Sequence, residues 1–158
     1  MEAVPLPIPE DVRDLLADLT NKTVIVDPDR ALDPTTLPLV ARYVSDSDEL
    51  LALSCWDMAG AAITAGAFAM IPKPVVEESI QTGALDELVA ECFHEVANIA
   101  SRWLHRGTTP HLRLSEIHEG WRDDEVELLQ NGRARSFVMN VEGYGDGRCA
   151  CVALGQAS

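Results

Sequence analysis

Apolar residues return at helical spacing at Val12, Leu15, Leu16 and Leu19. Pro9 precedes them at a first-turn position, where its missing N–H is not needed. Asn21 can close this first helix. Residues 1–8 carry two prolines, Pro5 and Pro7, and read as a flexible lead-in. Thr23 to Asp27 is a β-branched run that predicts a strand, and Asp27-Pro28-Asp29 and Asp33-Pro34 punctuate the loop after it. Leu39 to Val44 and Leu50 to Trp56 both read as strands. Only the polar turn Ser45-Asp46-Ser47-Asp48 and Glu49 separate them, so an antiparallel hairpin is expected. Asp57 stands where an N-cap belongs, ahead of an Ala-rich segment that should run to about Ile71 before Pro72 and Pro74 stop it.

Val75 to Gln81 predicts a short helix ended by Gly83. A long amphipathic helix follows over residues 84–105. Its apolar positions are Leu85, Leu88, Val89, Cys92, Phe93, Val96, Ile99, Ala100, Trp103 and Leu104, with Gly107 and Pro110 closing it. Leu112, Leu114 and Ile117 predict a strand, and residues 122–130 an acidic helix. Arg133 to Val141 and Arg148 to Leu154 alternate as strands around the Gly-rich turn Gly143 to Gly147. These elements predict one α+β domain over residues 1–158, a two-layer arrangement in which long helices pack on one face of a mainly antiparallel sheet.

Composition narrows the function. The chain has 158 residues and a formal charge of −14, with lysine only at Lys22 and Lys73. Nucleic-acid binding rests on cations that neutralise phosphates, so that class is excluded as a charge-driven activity. The excess acid suits solubility or a partner with a basic face. The arginine bias and the high alanine content suggest a GC-rich bacterial source. The apolar run Met58 to Ile71 is too short to span a bilayer, and the acidic N-terminus lacks the pattern of a secretory signal, so a cytoplasmic protein is expected. Cys55, Cys92, Cys149 and Cys151 form no C-x-x-C pair and read as buried thiols, with no metal site expected. His94-Glu95 opens an H-E-x-x-H pattern, but Asn98 stands at the second histidine position, which leaves a zinc site one ligand short.

The long helix carries the one patch with candidate chemistry. Glu91, Glu95 and Asn98 recur at i, i+4 and i+7 and line one stripe, extended by Arg102, away from the apolar face. By spacing alone such a stripe is most simply a solvated helix face. Glu91-x-x-x-Glu95-x-x-Asn98, however, resembles the signature of the CheC/CheX phosphatases: an acidic residue or Ser, three residues, Glu, two residues, Asn. The order of elements from about Ala41 to Leu154 is similar as well. The resemblance implies a CheC-like fold and a response-regulator receiver domain as partner. It implies that Glu95 contacts a basic residue of the receiver, and that Asn98 orients the water that hydrolyses the receiver's aspartyl phosphate. Glu91 and Arg102 would contribute to binding. No cofactor of the chain's own is expected, since Mg²⁺ would come with the receiver, and a homodimer is possible because related domains dimerise.

The sequence departs from the family pattern at Glu91, where Asp or Ser is usual, and at Arg102, where Gly is common. Asp14-x-x-x-Asp18-x-x-Asn21 is a degenerate second copy, in which Asn21 is better explained as a helix end. A non-catalytic interaction or dimerisation module with the same fold therefore stands beside the phosphatase.

Overall fold

A computed structural model describes residues 4–105 and 111–155. The expected breakers Gly107 and Pro110, and the first three residues of the lead-in, lie outside the described residues. The α-helices are α1 (Pro9–Thr20), α2 (Met58–Ala69), α3 (Lys73–Thr82), α4 (Glu87–Ile99) and α5 (Asp123–Asn131). The strands are β1 (Val24–Pro28), β2 (Leu39–Val44), β3 (Leu50–Trp56), β4 (Arg113–Glu119), β5 (Arg133–Val141) and β6 (Gly145–Ala153). Two 3₁₀ segments, Pro34–Thr36 and Ala100–Leu104, complete the set. No described helix is long and apolar enough to cross a membrane.

Local signals act as the sequence predicts. Asn21 closes α1 in the left-handed conformation, with its N–H on the Ala17 carbonyl. Asp57 caps α2 by accepting from Gly60 N–H at 2.6 Å, and the same oxygen accepts from Arg148 N–H at 3.0 Å, tying the helix start to β6. Gly83 ends α3 with φ +72°. The lead-in differs from expectation: Val4 and Leu6 are buried, Val4 N–H bonds the Leu154 carbonyl at 3.3 Å, and Arg133 and Arg135 donate to carbonyls of residues 4–7. Apolar side chains between the prolines give this segment a face to bury.

The six strands form one antiparallel sheet in the order β1-β5-β6-β3-β2-β4. Strand alternation sorts the core into two. Leu39, Ala41, Tyr43, Trp56, Phe137, Met139, Cys149 and Cys151 face α1–α4, while Val40, Leu53, Cys55, Ala150 and Val152 face the other way, toward Leu37 and Leu128 of α5. The long helices thus cover one face, and α5 with the first 3₁₀ turn adds a partial cover on the other. Cys149 and Cys151 share a face, as residues two apart in a strand must. Burial pushes the thiols of Cys55, Cys149 and Cys151 up, and all four cysteines are free.

The strand order reads the same from either edge. The succession α1-β1-β2-β3 has its counterpart in α4-β4-β5-β6, and exchanging β1 with β4, β2 with β5 and β3 with β6 maps the sheet onto itself. The molecule is therefore built on a topological two-fold that relates α1 to α4.

Candidate functional site

The start of α4 is fixed from two sides. Asp86 caps it by accepting from Leu88 N–H at 3.1 Å, and Asp86 N–H in turn donates to the buried Ser79 Oγ at 3.1 Å. Val89, Phe93, Val96 and Ala97 are 0–1% exposed and form its inner face. Phe93 meets Trp56 edge-on, with ring centroids 5.3 Å apart. Burying the Val89, Phe93 and Val96 side chains contributes roughly 1.5–3 kcal/mol each, so the helix is held as a rigid support.

Glu91, His94, Glu95 and Asn98 are exposed on the outer face. Glu95 and Asn98 have no hydrogen-bond or ion-pair partner among the described residues. At a separation of three residues their Cβ atoms stand about 5–6 Å apart on one face of the helix. A carboxylate and an amide are thus presented side by side, both unengaged by the described residues. The local field is negative: Cys92, on the same helix, has its thiol raised by partial burial and then by Glu91 and Glu95. Leu88, expected on the inner face, is 52% exposed and sits one turn ahead of Glu91.

The helix is shorter than its pattern suggests. Regular α-geometry ends at Ile99, and residues 100–104 continue as a 3₁₀ segment. At about 120° per residue instead of about 100°, the three steps from Ile99 carry Arg102 roughly 60° off the stripe. Arg102 is exposed but does not continue the line of Glu91, Glu95 and Asn98. The tighter turn places Trp103 against Trp56, ring centroids 6.1 Å apart.

The Ala97 carbonyl, in the last turn of α4, has a partner in the sheet. Tyr43 of β2 donates its hydroxyl proton to that oxygen at 2.6 Å, with Ser54 Oγ 3.0 Å from the same hydroxyl. Tyr43 is fully buried and its phenol is raised by that burial, so it remains a proton donor. This bond clamps the backbone next to Asn98 to the sheet. The sequence offers no sign of it, because Tyr43 lies some fifty residues upstream inside an ordinary strand pattern.

The other candidates separate from this patch. Asp14 and Asp18 are exposed on α1, but Asn21 is spent as the left-handed end of that helix. His94 is exposed, and no group of three His, Cys, Asp or Glu among the described residues is placed to hold a metal ion. His105 accepts from Leu112 N–H at 2.9 Å and stacks on His111, and its pKa is lowered by burial and then by that neighbour.

No protein-family profile and no curated protein matches the sequence. Solved structures do match the fold. A chain of the CheX-CheY-BeF3-Mg²⁺ complex from Borrelia burgdorferi aligns with a TM-score of 0.54 at 12% identity, over 90% of this chain and 92% of that one. FliY of Thermotoga maritima aligns with a TM-score of 0.54 at 13% identity, over 90% and 82%. A chain of the FliM-SpeE complex from H. pylori aligns with a TM-score of 0.50 at 7% identity, over 92% and 81%. Identities this low speak to architecture and not to activity. The chain has the CheC-like α+β fold that these structures share.

Proposed function

We propose that this domain docks on a response-regulator receiver through the outer face of α4 and promotes hydrolysis of the receiver's aspartyl phosphate. The observation that carries the reading is the exposed pair Glu95 and Asn98, without a side-chain partner among the described residues and one turn apart on a helix anchored in the core. The CheC-like fold, shared with a chain crystallised in a CheX-CheY complex, supports a receiver as the partner.

In this reading Glu95 pairs with a basic group beside the receiver's phosphoryl group, and Glu91 adds to the negative surface that attracts it. The Asn98 amide accepts from one water and aims its oxygen at phosphorus. The P–O bond to the aspartyl carboxylate breaks as the new P–O bond forms, and the water's proton leaves with the phosphate. Phosphoryl transfer needs positioning and electrostatics more than a covalent protein group, so one amide suffices. Mg²⁺ belongs to the receiver's site. Arg102, turned off the stripe, contacts the partner at the rim.

The test is phosphate release from phosphorylated receivers of the source organism. The chain should accelerate loss from at least one of them. Asn98→Ala should slow that reaction on the order of tenfold to a hundredfold while still binding. No acceleration on any receiver would leave a second reading, a non-catalytic interaction or dimerisation module. The exposed outer face of α4 is compatible with binding alone.

A further inference from the structure

A cleft of about 560 Å³ opens between the start of α1, the end of β1 and β5. β1 pairs with β5 from Val24↔Val141 to Pro28↔Phe137. Residues 133–136 of β5 therefore run on past the end of β1. Asp29 N–H makes the last bond along this edge, to the Ser136 carbonyl at 2.8 Å. The chain then turns away toward the first 3₁₀ turn, because Pro28 and Pro34 cannot donate to a ladder. Backbone groups alternate between the two edges of a strand, so Ala134 turns its N–H and carbonyl to the same edge as Ser136, where no strand reaches it.

The walls and rim of this gap indicate what fits it. Ile8, Pro9, Pro28, Leu32, Pro34 and Phe137 line it, and the three prolines make it stiff. Ile8 is 42% exposed and gives the cleft an apolar rim. Arg30 stands at the rim, exposed, with no hydrogen bond or ion pair among the described residues. Arg135, also at the cleft, donates to the Leu6 and Pro7 carbonyls and keeps its charge uncompensated. The lining carboxylate, Asp29, lies 3.9 Å from Arg148. The charged residues of the lining are thus two cations and one anion, on a chain of net charge −14.

We propose that this gap is a docking groove for an extended segment of a protein partner, one that carries apolar side chains next to an Asp or Glu. The segment lies along β5 as a short added strand in the place β1 vacates. Its apolar side chains enter the cleft and its carboxylate meets Arg30. The groove shares no residue with the outer face of α4, so it stands apart from the receiver reading.

Selection of a random heptapeptide display library on the whole chain tests this. The enriched peptides should combine Leu, Ile, Val or Phe with Asp or Glu. Ala134 is exposed, so Ala134→Trp fills the groove without disturbing the core and should weaken the synthetic peptide about tenfold or more. Arg30→Glu, on the surface, should weaken it about threefold to tenfold, and Asn98→Ala should leave it unchanged. The Ala134 amide should gain hydrogen-exchange protection on binding. A selection that returns no binder, returns basic peptides, or returns peptides that bind Ala134→Trp as well as the parent overturns the proposal.

Discussion

Glu125 is fully buried on the side of the sheet away from the long helices, and its charge is met from three directions. Arg42 Nη1 lies 2.6 Å from one carboxylate oxygen and His118 Nε2 2.6 Å from the same oxygen, while Arg122 N–H donates to the other at 2.8 Å. Arg42 also makes a two-point contact with Asp124. That bond holds the guanidinium's pKa up and lowers the aspartate's. Removing Glu125 leaves Arg42 and His118, both partly buried, short of an acceptor. Glu125→Ala should therefore cost about 3 kcal/mol in chemical denaturation, while the equally acidic but exposed Glu127→Ala should cost little. The sequence gives no hint of this, since Asp123, Asp124, Glu125 and Glu127 form one acidic run, and only the sheet beneath decides which of them faces inward. Glu95 and Asn98 are the opposite case. Their outward position follows from where Val89, Phe93 and Val96 must point, so the exposure of the candidate pair was legible from spacing. Tyr43, which clamps the backbone beside Asn98, was not.

Among the elements, α2 shows what small side chains are for. Its start lies so close to β6 that a Cβ on Gly147 would come within 2.4 Å of the Gly60 Cα and 2.6 Å of its nitrogen. Those are backbone atoms and cannot swing aside, so helix and strand would have to part. Gly147→Ala should destabilise the fold by about 2–3 kcal/mol in thermal or chemical unfolding. Gly143→Ala is strained by its φ of +82° but meets nothing within 4 Å, and should cost less. The Ala-rich composition of α2, its Asp57 cap and its end before Pro72 were all readable, because each is local. The break in α4 was not: the apolar pattern continues unbroken from Val96 to Leu104, and the change of pitch at Ala100 answers to Trp56 and Tyr43, which pack against it from the sheet.

For the whole molecule, what the chain discloses depends on sequence distance. The β2–β3 and β5–β6 hairpins join neighbours across short turns, and both were evident from the alternation and the turn residues. The pairings β1–β5, β2–β4 and β3–β6 join strands far apart in the chain, and nothing in one strand's pattern names a distant partner. The two-fold relation is hidden for a related reason. It lies in the order of elements, whereas residues at matching positions, such as the Asp18 and Glu95 stripes, are too different to read as a repeat.

That arrangement makes the two halves interlocked. The outer strand of each is held by the hairpin of the other, β1 by β5 and β4 by β2, so either half alone leaves a hairpin edge and a helix face bare. Gly83, at the end of α3, offers a place to sever them, exposed and with nothing within 4 Å of its missing Cβ. Fragments 1–83 and 84–158 should each show little cooperative structure by circular dichroism. Mixed, they should assemble into one complex that melts as a unit, and two fragments that fold independently would contradict this. The domain is thus better described as a tightly exchanged pair of half-domains on one chain than as a single wound layer.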